Sequence, residues 1–514
     1  MKKYIYIFTF ITGLLFHPAC TDDLNLAPIS SISDANYWLT PDQFDAFVVG
    51  VHARFRTHIA AFQTLGEMRA DIFGTEPGNT GTFTGEATQG VERLWQQNLN
   101  LDNPGVSNFG GFYSNIGQLN LLISKANETK ILTAANKNYY LGIAYGMRAF
   151  YYFHMLRSWG NVILQTDPVS TFDISNLAKA ASPAADVMNL IKADLEQSLN
   201  SFGTDYSFKN TKSFWSKAAT LMLKAEVFLW NAHRGGGTSD ANVAKTALTD
   251  IQSNITSLAL QPSYASVFSS KGNNEIIFAV RHVLNEASIS FIASSFVPQS
   301  GLIANFYDSI GNRKFNVTTD NWGGLLRAPV KSSTFRIYDP LDTRRNSTIT
   351  AAYSLDITKR PTADTFKIAG CFVSKYQGEQ NAGARAYTND YPIYRYADLL
   401  LLLAEAKVLL GENPATEINL VRARAFGSKY ITATHGYPNQ AIDANPKDAL
   451  LKERLLEFIF EGKRWYDLRR FGDAYVFANT TVVALEAYKL LWPVDRNTLT
   501  NNRLLTQTPG YPIF

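Results

Sequence analysis

The sequence predicts a mainly α-helical protein in which packed helices form a scaffold, long irregular segments interrupt it and a few short strands are interspersed. Three observations predict this. Apolar residues recur at helical spacing through several long segments, most of them closed by glycine. Residues 261–390 lose that period and rise in Ser, Thr, Asn, Gly and Pro. Of 514 residues 46% are hydrophobic and 18% charged, an ordinary composition for a folded chain and too few charges for a disordered one.

The helices follow in order. Residues 139–159 read as one long helix stopped by Gly160. Ser182 reads as an N-cap with Pro183 in the first helical position. Val187, Leu190, Ile191, Leu195 and Leu199 then fall on one helix face. Residues 214–233 form another helix, with Ala218, Ala219, Ala225 and Ala232 permitting close packing, and the run Gly235 to Gly237 makes a turn. Residues 394–410 are very apolar and end at Gly411, a helix C-cap. Glu405 and Lys407 interrupt that run, which is shorter than a membrane span, so a buried helix is expected. Residues 447–460 continue the helical pattern, whereas residues 274–280 read as a short strand. The helices come in antiparallel-looking pairs, as in tetratricopeptide arrays, without that repeat's signature.

Glu453, Glu457 and Glu461 lie four apart on one helix face. Such a row suits either a metal or acid–base site, or pairing with Arg454, Arg464 and Arg469 between helices. With no His at ligand spacing, pairing is the expectation.

The N-terminus reads as an address. Lys2 and Lys3 precede an apolar stretch from 4 to 16, the length of a signal-peptide core. Ala19 and Cys20 then resemble a bacterial lipoprotein processing site with Cys20 acylated, although His17 and Pro18 replace the usual Leu and small residue. Ordinary secretion with cleavage nearby is the alternative. The expected division is a signal peptide at 1–19, a lipid-anchored tether at 20–35 and one body at 36–514, with helical scaffold mainly at 36–260 and 391–475 and the irregular segment at 261–390.

Other function classes are disfavoured. The net charge of +4 is too small to argue for nucleic acid. Two cysteines, Cys20 and Cys371, exclude a disulfide framework and a zinc site on paired thiolates, and Cys371 reads as a core thiol. No zincin, nucleophile-elbow or phosphate-loop motif occurs, and nothing nominates a carboxylate pair for glycoside hydrolysis. No enzyme activity, cofactor or metal is expected.

Several segments together resemble the SusD/RagB family of surface glycan- and nutrient-binding lipoproteins of Bacteroidota. They are Asn36-Tyr37-Trp38 with TPDQFDAFVVGVHARF, Glu67 to Asp71, MRAFYYFHMLRSWGNVIL at 147–164 (Ile163 replacing the family's Pro), RYADLLLLLAEA at 395–406 with Ile418 to Ala425, ERLLEFIFEGKRWYDLRRFG at 453–472, and Leu491-Trp492-Pro493 with the ending QTPGYPIF. The resemblance implies a tetratricopeptide-like scaffold with irregular ligand-binding segments, and a non-enzymatic role. It further implies placement at the cell outer membrane, facing outward, and a TonB-dependent transporter of the SusC type as partner. In such lipoproteins the acidic pair after Cys20, Asp22-Asp23, resembles an export signal; a plain polar tether is the alternative. Arg148, Tyr152, Glu461, Gly462, Arg464, Trp465 and Asp467 lie in these motifs and read as scaffold.

A sugar offers an apolar face to an aromatic ring and hydroxyls to amides or guanidinium groups, on loops carried by a rigid frame. Two irregular regions, 74–112 and 290–330, supply the ligand face in the family. The candidates are Phe83, Trp95, Asn98 and Asn100 in the first and Phe296, Tyr307, Trp322 and Arg327 in the second, with Trp95 and Trp322 foremost. Peptide binding on the same architecture, or a surface assembly role without a small ligand, are the alternatives.

Overall fold

The computed structural model describes residues 37–74, 89–107, 109–169, 178–209, 211–308, 313–356 and 365–513. Eleven helices carry the scaffold: α1 (Pro41–Thr57), α2 (Ile59–Glu67), α3 (Phe109–Glu128), α4 (Ala134–Trp159), α5 (Ala184–Phe202), α6 (Lys217–Asn231), α7 (Gly237–Asn254), α8 (Tyr396–Leu410), α9 (Ala415–Phe426), α10 (Pro446–Phe458) and α11 (Arg464–Phe471). Successive helices pack on one another from α3 through α9; α8 also packs on α10, α10 on α11, and α11 returns to α2. This is a tetratricopeptide-like arrangement of helix pairs, and the protein is mainly α as expected. Among the described residues no helix is long and apolar enough to cross a membrane.

Local chemistry sets the helix ends. Pro41 opens α1, with the Gln43 side chain accepting from the Thr40 N–H at 3.0 Å. Thr133 caps α4 by accepting from the Asn136 N–H, and Gly160 closes it at φ 76°. Gly411 closes α8 in the left-handed region. The long helix α4 begins earlier than read, at Ala134 behind its Thr133 cap, and two further starts shift because a distant residue takes a backbone group. Ser182 pairs with Val162 in a short bridge, so α5 begins at Ala184, whose N–H donates to Asn161 Oδ1 at 2.9 Å. The Trp215 N–H donates to His52 Nε2 at 2.9 Å, so α6 waits until Lys217, with Ser216 as its cap. The glycine run is a turn, a π-helical link between α6 and α7.

Among the described residues six short strands form three antiparallel pairs: β1 (Ile276–Val280) with β6 (Tyr391–Arg395), β2 (Ile349–Asp356) with β3 (Thr365–Val373), and β4 (Glu379–Asn381) with β5 (Ala384–Ala386). Pairing with β1 draws Tyr394 and Arg395 into strand, which moves the start of α8 to Tyr396. Cys371 lies buried on β3.

The glutamate row does pair with arginines, but with others than expected. Glu453 accepts from Arg344 (2.7 Å) and Arg422 (2.9 Å). Glu457 accepts from Arg395 (2.6 Å), Arg344 (3.0 Å) and Arg424. Glu461 accepts from Arg395 (2.8 Å) and Lys375. Arg454 instead pairs with Asp398 and Asp467, Arg464 with Asp71, and Arg469 donates to the Arg157 carbonyl. All these acids and bases except Asp71 are buried. Burial alone would raise the Glu457 and Glu461 carboxyls, but the surrounding cations hold both below the usual carboxylate range. Such groups survive burial only with near-complete partners. Here Arg344, itself paired with Asp342, and Lys375 come from the irregular segment, Arg395 from β6 and Arg422 and Arg424 from α9, so the network fastens the segment to the helices. The remaining motif residues are also structural: Arg148 forks onto Asp194 at 2.6 and 2.7 Å, and Trp465 is fully buried beneath the Arg69 guanidinium.

Candidate functional site

The second candidate region is built on an irregular but pinned backbone. Residues 293–298 and 324–328 run against each other: the N–H groups of Gly324, Leu325, Leu326 and Ala328 donate to the carbonyls of Pro298, Ala293, Val297 and Ser295 at 2.8–3.1 Å. Glycine is required at 324, because a Cβ there would stand 2.4 Å from the Val297 carbonyl oxygen. The returning limb is then stitched to its neighbours. The Gly74 N–H donates to the Pro329 carbonyl (3.1 Å), the Lys331 N–H to Ile72 (3.0 Å) and the Val330 N–H to Cys371 in β3 (3.1 Å).

Trp322 projects from this frame half-buried. Phe372 of β3 meets the indole edge-on, ring centres 5.1 Å apart. Arg385 of β5 lies over the ring at 4.7 Å from its centre, a cation–π contact. The Tyr387 hydroxyl donates to the Trp322 carbonyl, and Asn321 Nδ2 donates to the Gly383 carbonyl at 2.8 Å. The indole N–H and Arg327 Nε are buried donors without a protein acceptor. Beyond Trp322, Arg313 joins Asp308 (3.0 Å) and Asp320 (2.6 Å). Burial opposes ionisation of Asp320, but hydrogen bonds from Arg313 and the Asn316 N–H hold its carboxyl below the ordinary value.

Tyr307 is half-buried; its backbone pairs with Tyr353 in both directions at 2.9 Å, and its ring meets Phe366 edge-on. Arg327 is also half-buried. Phe296 is core, its ring packed between Phe73 and Phe460, and offers no face to a ligand.

The first region is differently arranged. Trp95 is only 8% exposed, so this indole too is core rather than a platform. It ends a short helix, Glu92–Trp95, and its carbonyl accepts from the Thr481 hydroxyl at 3.0 Å. Asn98 is exposed. Asn100 is half-buried, and its Oδ1 accepts from the N–H groups of Asp102 and Asn103, which makes it a turn former. The loop is docked on the C-terminal stretch, where the Arg496 N–H donates to the Leu101 carbonyl at 3.0 Å. Phe83 lies outside the described residues. The stretch from Arg69 to Gly74 touches both regions, through Arg69 Nε on Gln97 Oε1 (2.6 Å) and through Ile72 and Gly74. Trp322, Tyr307 and Arg327 therefore remain as ring and cation candidates. Sequence reasoning missed Arg385, which reaches the indole only because β4 and β5 fold back beside it, and Asn321, whose amide ties this segment to Gly383. Among the described residues no cluster of three or more metal-ligating side chains occurs.

A half-buried indole held in place by its neighbours has the chemistry to receive the apolar face of a ligand. The fold carrying it has clear relatives. Residues 343–511 match the model of the SusD family. A solved structure titled B. fragilis NanU is 46% identical, covering 95% of this chain and 100% of its own, with a TM-score of 0.86. A SusD superfamily protein from Bacteroides vulgatus is 40% identical over 92% of this chain and 100% of its own, with a TM-score of 0.83. SusD-like protein P38 of Formosa agariphila is 28% identical over 99% of this chain and 100% of its own length. The chain belongs to the SusD/RagB family.

Proposed function

We propose that the protein is a surface-exposed outer-membrane lipoprotein, anchored through acylated Cys20, that binds a glycan and delivers it to a TonB-dependent transporter of the SusC type. It acts by capture and hand-over and breaks no bond. Family membership supports the role. The observation that carries the site is Trp322, a half-buried indole in an irregular loop, held by Arg385 and Phe372. An indole face covers the C–H surface of a sugar ring.

The test is calorimetric titration of the purified protein with a panel of oligosaccharides and peptides, repeated with Trp322→Ala. Glycan binding that weakens at least about tenfold in the variant is expected. Unchanged affinity for a confirmed glycan would remove Trp322 from the site, and binding of peptides alone would replace the glycan reading.

A further inference from the structure

We propose that Arg385 is the positioning residue for the Trp322 platform: the β4–β5 hairpin exists to hold this indole at one angle, and Arg385 acts on ligand through the ring. This rests on the reading of Trp322 as a ligand-facing ring.

Three tethers join the hairpin to the two-residue stretch Asn321-Trp322. Arg385 Nε donates to the Asn321 carbonyl at 2.8 Å, the Tyr387 hydroxyl donates to the Trp322 carbonyl, and Asn321 Nδ2 donates back to the Gly383 carbonyl at 2.8 Å. The guanidinium is itself fixed. Its Nη1 donates to the Gln377 carbonyl at 2.5 Å, and with the Gln380 amide oriented to satisfy its neighbours Nη2 donates to that side chain at 3.0 Å. Each of its three nitrogens thus has an acceptor, and the guanidinium carbon lies over the indole. Phe372 fixes the ring from a second direction. The hairpin has little else to pack: Glu379, Gln380, Asn381, Ala382, Gly383 and Ala384 are all exposed. Gly378 sits at φ 61° with its would-be Cβ 2.3 Å from the Ala386 carbonyl, so the base of the hairpin closes tightly.

A loosely held ring must be ordered when ligand arrives, and that cost is taken from affinity. A ring already ordered by a guanidinium avoids it. Arg suits the task where Lys does not, because only the planar fork can bond several carbonyls while stacking.

The experiment uses the full chain in detergent, labelled with 5-fluorotryptophan. The Trp322 resonance is assigned among the eight by its disappearance in Trp322→Phe. In Arg385→Ala that resonance should shift and narrow while the other seven hold, which also shows that the fold is intact. Arg385→Lys, with the charge but not the fork, should restore it only in part. Glycan affinity should fall about three- to thirty-fold in Arg385→Ala, the range of a cation–π contact, and the double variant with Trp322→Ala should bind no worse than Trp322→Ala alone. An unmoved Trp322 resonance in Arg385→Ala overturns the proposal, as do additive losses in the double variant, which would place Arg385 on the ligand itself. If Trp322→Ala leaves affinity unchanged while the fluorine signal moves as expected, the glycan site is wrong and the holding of the ring by Arg385 stands.

Discussion

Gly66 in α2 lies so close to Gly462 that a Cβ on Gly66 would stand 1.7 Å from the Gly462 carbonyl oxygen. The two residues are almost four hundred positions apart, and their backbones close the contact between the first helices and the link from α10 to α11. Next to it, Glu67 accepts from the N–H groups of Phe460 (2.7 Å) and Gly462 (3.1 Å), and both of those residues have positive φ. Backbone cannot rotate aside as a side chain can. Gly66→Ala is therefore expected to cost at least about 3 kcal/mol, the upper end for overpacking, measured as loss of unfolding free energy in urea.

The glutamate row makes the protein acid-sensitive. Glu457 and Glu461 titrate below their unfolded values, so the stability they contribute is present above the unfolded carboxylate pKa and is lost as pH falls through the folded one. Thermal unfolding followed by circular dichroism should show a melting temperature that declines steadily below about pH 4.3, the ordinary Glu value. Raising the salt concentration should change this little, because the groups are buried.

Removing one member of that network should be costly at neutral pH. Glu457→Gln leaves Arg344, Arg395 and Arg424 short of a shared anion in a site without solvent. A loss of about 3–5 kcal/mol is expected, with a shallower decline in acid than the parent, because one depressed carboxyl no longer titrates. Denaturant curves at pH 7 and pH 4 measure both.

The two foremost tryptophans should separate cleanly. Trp95→Ala empties core space and should cost about 3–5 kcal/mol while leaving glycan affinity per folded molecule unchanged. Trp322→Ala removes a half-exposed ring and should cost less stability than Trp95→Ala, with the loss appearing in binding. Paired calorimetry and urea titrations compare them.

Cys20→Ser should move the protein from the membrane fraction to the soluble fraction of its host and abolish incorporation of labelled palmitate. Retention in the membrane with no labelled fatty acid would remove the lipid anchor from the account.

Much of the scaffold was legible because helices advertise themselves locally. Val187, Ile191 and Leu195 repeat with the helix turn and are fully buried, and Gly160 and Gly411 end α4 and α8 where the sequence places stops. The errors fall where a distant residue claims a backbone group, as His52 does at Trp215 and Asn161 at Ala184. Nearness in sequence makes Arg454, Arg464 and Arg469 the expected partners for the glutamates. Arg454 on α10 meets Asp398 and Asp467, and Arg464 and Arg469 on α11 meet Asp71 and the Arg157 carbonyl, while Arg344, Arg395 and Arg424 arrive at the glutamates from facing elements.

Reading residues alone determined the helical class and the family, since periodicity, caps and motif spacing are short-range properties written in adjacent letters. Only the folded chain decided which indole is core and which meets solvent, and that Arg385 lies on Trp322. Exposure and ring contact depend on which remote segments pack together, and Trp95 and Trp322 sit in equally Gly- and Asn-rich surroundings until folding buries one in the core and a hairpin frames the other.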